Sequence, residues 1–279
     1  MPSKNSEAVE KAEAYYDSSE ADEFYKNFWG GEDIHIGLYD RPDQDIAIAS
    51  RRTVMSMASE LDGLGATAKV IDLGAGYGGS ARYLASQWGC HVDCLNLSKT
   101  QNAINSAKNH ASGLDSSIVV THGSFEDIPV NEPEYDVIWS QDAFLHSGHR
   151  SQVLDEIMRV CKPGGHLIFT DPMQSDECPD GVLQPILDRI HLETMGSFAF
   201  YRSELAKRGF DEVSVKPMLG QLKTHYTRVG EELNDRYDFA VSLSGKEYVD
   251  NMLRGLGNWV TGANNNHLDW GIIHFRKSD

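Results

Sequence analysis

Basic residues are scarce in this sequence: 25 Lys and Arg stand against 42 Asp and Glu, and the formal net charge is −17. Binding to the phosphate backbone of nucleic acids needs clustered Lys and Arg, so this deficit argues against a nucleic-acid partner. The acidity has two interpretations. It fits an ordinary soluble surface, and it fits a surface adapted to a salty cytoplasm, where screening removes the repulsion between carboxylates.

Long hydrophobic runs are also missing. No stretch of about 20 apolar residues occurs, so we expect neither a membrane span nor a membrane partner. The first residues, MPSKNSEAVEKAEAYY, do not resemble a secretory signal. Cysteine is limited to Cys90, Cys94, Cys161 and Cys178, and no further Cys or His follows the first pair at close spacing. We therefore predict reduced, buried thiols in a cytoplasmic protein with no metal site.

From Lys69 onward, strand-like and helix-like segments alternate, which is typical of an α/β fold with a mainly parallel sheet. Ser98 and Gln101 form a capping-box pattern at the start of one helix. A second helix, over 151–161, is predicted to stop at Pro163-Gly164-Gly165. Strands are predicted at 69–73, 91–97, 117–122, 135–140, 166–170, 212–216 and 270–275. The expected fold is a Rossmann-like, seven-stranded, mostly parallel sheet with helices on both faces.

Two helical regions fall outside this alternation, one before the first predicted strand and one between the last two. Connections as long as the second usually carry function, and ligands bind at the carboxyl ends of the strands in open α/β sheets. We therefore predict a helical lid at 1–60, a cofactor-binding core at 61–218, a helical insertion covering the substrate at 219–262, and the last strand of the core sheet within 263–279.

A glycine-rich turn, DLGAGYGG over residues 72–79, follows the first predicted strand and opens a helix. Its G-x-G-x-x-G spacing, taken alone, is a weak signal for a dinucleotide. A dinucleotide enzyme would carry an acid at the end of the second strand, where this chain has Asn96. Asp72 would repel a diphosphate and attract a cationic amino-acid group. The turn favours a nucleoside with a positive charge, and a nicotinamide oxidoreductase is the alternative from another enzyme class.

Five segments over residues 65–175 occur in one order: VIDLGAGYGG, CLNLS, GSFEDIP, YDVIWSQDAFLH and CKPGGHLIFTDP. Together they resemble the class I S-adenosylmethionine-dependent methyltransferases. The resemblance implies that S-adenosylmethionine is the cofactor and S-adenosylhomocysteine the product. It also implies cofactor contacts. These are Asp72, Gly74 and Gly76 at the methionine part, Asn96 and Leu97 at the ribose and adenine, Ser124 and Phe125 beside the adenine ring, and in addition Tyr25 and Gln141.

The segment QDAFLH resembles the part of the phosphoethanolamine methyltransferases that carries an active-site Asp–His pair. Asp142 and His146 are four residues apart, so a helical turn would place them on one face. We expect this pair to orient an amine and to accept its proton. Tyr16 and Tyr25 resemble the lid tyrosines of that family.

Nearly the whole chain resembles the sarcosine/dimethylglycine N-methyltransferases of glycine betaine synthesis. SQDAFLHSGHR, FTDPMQ, QPILDRIHLETMGSF and WGIIHFRK carry this resemblance. It implies methylation of sarcosine and/or dimethylglycine to the osmoprotectant glycine betaine. The alternatives are a phosphoethanolamine-type or other small amine as acceptor, a lipid alkene as acceptor, and a non-catalytic binding module.

An amino-acid substrate needs a receptor for its carboxylate, and the planar fork of arginine suits both oxygens. Arg189, in an apolar helix-like run, is preferred over Arg202 and Arg228. Aromatic rings could hold a methylated ammonium by cation–π contact, and tyrosine hydroxyls could add donors. The expected substrate contacts are Tyr16, Trp29, Arg189, Tyr201, Tyr226 and Trp270.

Overall fold

A seven-stranded sheet dominates the structure, a computed structural model that describes residues 7–279, with side chains from Val9 onward. The strands are β1 (Lys69–Leu73), β2 (His91–Asn96), β3 (Ile118–His122), β4 (Tyr135–Gln141), β5 (Cys161–Thr170), β6 (Met173–Gln174), β7 (Phe210–Pro217), β8 (Leu268–Asp269) and β9 (Gly271–Lys277). The sheet order is β3-β2-β1-β4-β5-β9-β7, and β9 runs antiparallel to both neighbours. This arrangement confirms the predicted Rossmann-like fold.

Helices flank the sheet and extend beyond it. They are α1 (Glu7–Tyr16), α2 (Ser19–Phe24), α3 (Ile46–Ala58), α4 (Gly79–Trp88), α5 (Lys99–Ala111), α6 (Arg150–Val160), α7 (Gln184–Ile190), α8 (Phe198–Lys207), α9 (Leu219–Asp235), α10 (Tyr237–Ser244) and α11 (Lys246–Asn264). A π-helical turn covers Tyr25–Trp29, and a 3-10 turn covers Phe144–His146. Within 7–279, no helix is long and apolar enough to cross a membrane.

The central strands are buried on both faces, as their near-continuous apolar runs require. In β1, Val70, Ile71 and Leu73 are at most 2 % exposed. This strand pairs in parallel with β2 and β4. The carboxyl ends of three strands therefore meet at one edge of the sheet, where the glycine-rich turn begins.

The predicted start of α5 is confirmed, because the Ser98 hydroxyl accepts a hydrogen bond from the Gln101 amide at 3.1 Å. The helix predicted over 151–161 is α6, Arg150–Val160, so its end is confirmed to within one residue. Pro163-Gly164-Gly165 lies just beyond that end, inside β5, at a register shift against β4. Lys277 from β9 donates to the carbonyls of Met158 and Cys161, which satisfies the helix end from across the sheet.

Helices before β1 and between β7 and β8 pack together above the sheet. Phe24 and Trp29 from the N-terminal part share one apolar cluster with Tyr226 from α9 and Trp259 from α11. Helix α10 also packs against α2. The two predicted helical regions thus meet in space. Their division into a lid and an insertion stays a prediction.

Candidate active site

The glycine-rich turn lies tightly against its neighbours at the carboxyl edge of the sheet. Gly74 and Gly76 have φ angles of 80° and 52°, in the region that favours glycine. A Cβ on Gly74 would lie 2.5 Å from the Ala143 Cβ, and a Cβ on Gly76 would lie 3.2 Å from the Ile34 Cδ1. The turn therefore has no room for side chains at these two positions.

Asp72 is the next-to-last residue of β1, and it is only 3 % exposed. Burial, together with the nearby charge of Asp33, raises its pKa to about 7. An ionised carboxylate in such a place is costly unless a cation lies beside it. The turn and its acid therefore fit a ligand that brings a positive charge, such as the methionine part of S-adenosylmethionine.

The other predicted cofactor residues gather at the same edge. Asn96 ends β2 and donates to the Gln101 side chain at 3.2 Å, and its carbonyl accepts from the Gly123 amide. Ser124 follows, with its hydroxyl accepting from the Glu126 amide at 3.0 Å. Half-buried Leu97 continues directly from Asn96. These contacts bring the ends of β2 and β3 together, as a nucleoside site requires.

Phe125 and Gln141 complete the predicted set on this edge. Phe125 is buried and packs edge-to-face on Phe144, with ring centroids 5.7 Å apart. The Gln141 Oε1 accepts from the Ser80 hydroxyl at 2.5 Å and from the Trp139 indole at 3.1 Å. Its Nε2 is buried without a hydrogen-bond partner among residues 9–279, so the donors of this amide group are left for a ligand.

A cavity of about 470 Å³ lies between the sheet edge and the helices above it. Seven of the predicted site residues line this cavity. They are Tyr16, Tyr25, Trp29, Asp142, His146, Arg189 and Tyr226. Ile34 lines it as well and also contacts the glycine-rich turn, so the cavity adjoins the predicted cofactor site.

Asp142 is held by two donors from distant parts of the chain. Its Oδ2 accepts from the Ile36 amide at 2.6 Å, and its Oδ1 accepts from the Trp270 indole at 2.8 Å. Its backbone is left-handed, with a φ of 51°, an uncommon conformation for aspartate. Burial raises the pKa of this carboxyl, although the two hydrogen bonds and His35 oppose that rise.

His146 lies on the 3-10 turn, where its Nε2 is 2.9 Å from the Tyr16 hydroxyl. Burial lowers its pKa to about 4, so the imidazole is neutral at pH 7. Asp142 and His146 line one cavity, as expected. The backbone reaches this arrangement through a bend at Asp142 that is followed by the 3-10 turn. The predicted regular helical turn does not form.

Two predicted substrate contacts lie outside this cavity. The hydroxyl of buried Tyr201 donates to Asp171 at 2.7 Å, and Asp171 accepts from the Leu145 amide at 2.8 Å. Trp270 is fully buried and donates to Asp142. Both side chains therefore stabilise the segment that carries Asp142. Because the Tyr201 hydroxyl is buried on Asp171, we no longer expect Tyr201 to contact the substrate.

An aromatic wall forms one side of the cavity. The Trp29 and Tyr226 rings meet edge-to-face at 5.7 Å, and Tyr226 stacks on Trp259 at 5.1 Å with an interplanar angle of 16°. Trp259 and His35 also line the cavity, and sequence reasoning missed both. Neither belongs to a motif. Trp259 sits in an amphipathic helix, where its spacing is that of an ordinary packing residue.

Arg189, near the end of α7, lines the cavity with its guanidinium half-buried. Its Nη1 donates to the Asn251 carbonyl at 2.9 Å, and its Nη2 lies 3.2 Å from the Met252 sulfur. Gly255 gives it room, because a Cβ there would lie 2.5 Å from the Arg189 Nε. Arg202 and Arg228, in contrast, pair with Glu212 and Glu231.

Among the ion pairs of residues 9–279, none involves Arg189, so its charge has no carboxylate partner from the described chain. The same part of the chain holds no group of three or more His, Cys, Asp or Glu side chains that could bind a metal ion. The Arg189 guanidinium is therefore available to an organic ligand.

The fold, the glycine-rich turn with its buried acid, and the adjoining cavity define an S-adenosylmethionine-dependent methyltransferase. Residues 71–169 match the model of the methyltransferase domain family. Similar proteins of known family then identify the family within this class. The chain is 51 % identical to the sarcosine/dimethylglycine N-methyltransferase of Halorhodospira halochloris, over 97 % of both chains. It is 48 % identical to the enzyme of the same name from Aphanothece halophytica, over 96 % of this chain and 97 % of that one.

A solved structure agrees with these relatives. A protein from Galdieria sulphuraria, described as a sarcosine dimethylglycine methyltransferase, has a TM-score of 0.90 and 45 % sequence identity. The match covers 95 % of this chain and 99 % of that one. The chain belongs to the sarcosine/dimethylglycine N-methyltransferase family. The predicted enzyme class, methyl donor and family are thereby confirmed.

Proposed function

We propose that this enzyme methylates the nitrogen of sarcosine and/or dimethylglycine and produces glycine betaine. The observation that carries the proposal is the charge pattern of the cavity. It contains a guanidinium without a carboxylate partner among the side chains of residues 9–279, a buried carboxylate and an aromatic wall. A small methylated amino acid carries the matching groups, namely a carboxylate, an ammonium and N-methyl groups.

Bound S-adenosylmethionine would supply the methyl group as an electrophilic carbon on its sulfonium. Asp72, Gly74, Gly76, Asn96, Leu97, Ser124 and Phe125 would hold this cofactor, with Gln141 and Tyr25 as further contacts. Tyr25 is buried at the cavity, stacked on Tyr16 at 5.7 Å. The protein mainly aligns the reacting atoms, an effect worth about 7–11 kcal/mol when the alignment is good.

Replacing Gly74 by alanine tests the cofactor contact. The new Cβ would collide with Ala143, beside Asp142, so we expect S-adenosylhomocysteine to bind about tenfold more weakly, as measured by calorimetry. Gly63→Ala is the control, because Gly63 also has a positive φ of 85° but nothing within 4 Å of its Cβ position. Equal affinities in the two variants would contradict the cofactor contact at Gly74.

The substrate amine must lose its proton before it attacks, since a protonated alkylamine with a pKa of about 10 has no free electron pair. Asp142 can attract the ammonium into the cavity and orient it. His146 is neutral, so one ring nitrogen can accept a proton, with the Tyr16 hydroxyl holding the ring in place. We propose orientation for Asp142 and proton acceptance for the His146–Tyr16 pair.

We further propose that the helices above the sheet act as a cover for the substrate. Tyr16 is at the end of α1, and the next residue, Asp17, accepts hydrogen bonds from the Ser98 hydroxyl at 2.7 Å and the Thr100 amide at 3.1 Å. The N-terminal helices are thereby fastened beside Asn96 and Leu97. The cytoplasmic location, expected from the cysteines and the first residues, stays a prediction. The absence of a nucleic-acid partner, expected from the net charge, also stays a prediction.

Replacing Gly255 by alanine is expected to raise the KM for dimethylglycine about tenfold, the equivalent of ~1.4 kcal/mol, while the affinity for S-adenosylhomocysteine stays unchanged. The added methyl group would push away the Arg189 guanidinium, which is flexible enough to move without unfolding the helix. Gly257→Ala on the same helix is the control, since nothing lies within 4 Å of its Cβ position. A KM that rises equally in both variants would argue against Arg189.

The function itself is tested with purified protein, S-adenosylmethionine and, in separate reactions, glycine, sarcosine, dimethylglycine and phosphoethanolamine. Mass spectrometry follows the methylated products at low and high salt. Betaine from dimethylglycine supports the proposal, and the sarcosine reaction sets its range. Methylated phosphoethanolamine as the only product would overturn it, and so would no product from any acceptor.

A further inference from the structure

The segment between Gly30 and Gly37 crosses the glycine-rich turn and packs directly on it. Ile34 lies at Gly76, and the Asp33 Oδ1 lies 2.0 Å from the position that a Cβ on Gly79 would occupy. Arg51 from α3 fastens this segment, since it donates to the Gly79 carbonyl at 3.1 Å and to Glu32 at 2.7 Å. Asp33 and Arg51, both outside the predicted cofactor-binding core at 61–218, thus contact the start of α4.

The Asp33 carboxyl is only 3 % exposed, and its two oxygens have different surroundings. Oδ2 pairs with the Arg51 Nε at 2.8 Å. Oδ1 is buried without a hydrogen-bond partner. The His35 Nε2 lies 4.0 Å from Oδ1, but burial lowers the pKa of His35 to about 4, so this ring is neutral at pH 7.

Asp72 lies close enough that the charge of Asp33 raises its pKa. Two buried carboxylates repel each other, and one oxygen of Asp33 has no partner. Neither nearby arginine donates to Oδ1 of Asp33: Arg51 pairs with Oδ2 of the same carboxylate, and Arg82 donates to Glu32 and to the Tyr77 carbonyl. A buried pair of this kind calls for an additional cation with hydrogen-bond donors.

We propose that Asp33 is a second anionic ligand for the α-ammonium group of S-adenosylmethionine, acting together with Asp72. This inference rests on the proposed function, in which S-adenosylmethionine is the methyl donor. An ammonium has three donors, so it can serve the free oxygen of Asp33 and the carboxylate of Asp72 at once. The N-terminal segment would then take part in cofactor binding as well as covering the substrate.

Calorimetry with two ligands tests this assignment. The first ligand is S-adenosylhomocysteine, and the second is its analogue without the α-amino group. Asp33→Asn is expected to weaken S-adenosylhomocysteine about tenfold or more, the range for a lost hydrogen bond to a charged group, and to change the affinity of the deaminated analogue by less than about threefold. A merely structural role would weaken both ligands equally.

Glu32→Gln is the matched control, because this neighbouring carboxylate is tied to arginines and should leave the ratio of the two affinities unchanged. If Asp33→Asn does not fold, judged by its melting curve, Asp33→Ser takes its place. An unchanged affinity ratio in the folded variant would overturn the role of Asp33. A wild-type protein that binds neither ligand would instead overturn the methyl donor, so the two failures are distinguishable.

Discussion

Asp142→Asn is expected to lower kcat/KM for dimethylglycine by about 10²–10³-fold, the range for removing one partner of a buried charge pair. The carboxylate is buried at the cavity and accepts hydrogen bonds from the Ile36 amide and the Trp270 indole. Asparagine keeps the size but removes the charge that attracts the substrate ammonium. Steady-state kinetics with the affinity for S-adenosylhomocysteine measured in parallel would separate loss of catalysis from loss of cofactor binding.

Trp270→Phe is the control, since it removes one donor to Asp142 and leaves the charge. We expect a smaller loss in this variant than in Asp142→Asn. Because burial raises the pKa of Asp142, the ionised form costs folding free energy, and stability of the wild type relative to the asparagine variant should fall as the pH rises above 4. An asparagine variant that is active but unstable at neutral pH would contradict this account.

Arg189→Met is expected to raise the KM for dimethylglycine about a hundredfold, the equivalent of ~2–3 kcal/mol for a truncated charge pair. The guanidinium lines the cavity and makes its described contacts to the Asn251 carbonyl and the Met252 sulfur. Its charge is therefore free to pair with a substrate carboxylate. The variant should also lose its preference for dimethylglycine over dimethylethanolamine, which lacks the carboxylate.

Arg254→Met is the control for Arg189→Met. Arg254 also contacts Asn251, through the side-chain oxygen at 3.0 Å, but it does not line the cavity. Its replacement should leave both KM values near those of the wild type. If Arg254→Met and Arg189→Met lost the same preference, the carboxylate receptor would have to be sought elsewhere.

Local patterns in the sequence predicted the elements that build the core. The apolar run before the glycine-rich turn predicted β1 with its observed bounds, and Ser98 with Gln101 predicted the start of α5. These signals depend on residues a few positions apart, so propensity and capping decide them. The end of α6 was predicted to within one residue, but no local pattern showed that Pro163-Gly164-Gly165 would lie inside β5. Nor did one show that Lys277, more than a hundred residues later, would donate to carbonyls at the helix end.

The features of the site also fall into two groups, those that the sequence predicts and those that only the structure shows. Local patterns and the parallel sheet were enough to predict the turn, its acid and the order of the strand ends. The three-dimensional packing was needed to show that Trp270 donates to Asp142, that Tyr201 donates to Asp171, and that Arg189 has no acidic partner among residues 9–279. The same packing places Trp259 and His35 in the wall of the cavity and Asp33 against Gly79. The cavity is formed by elements far apart in the chain, and long-range packing, which no short pattern encodes, sets which side chains face it.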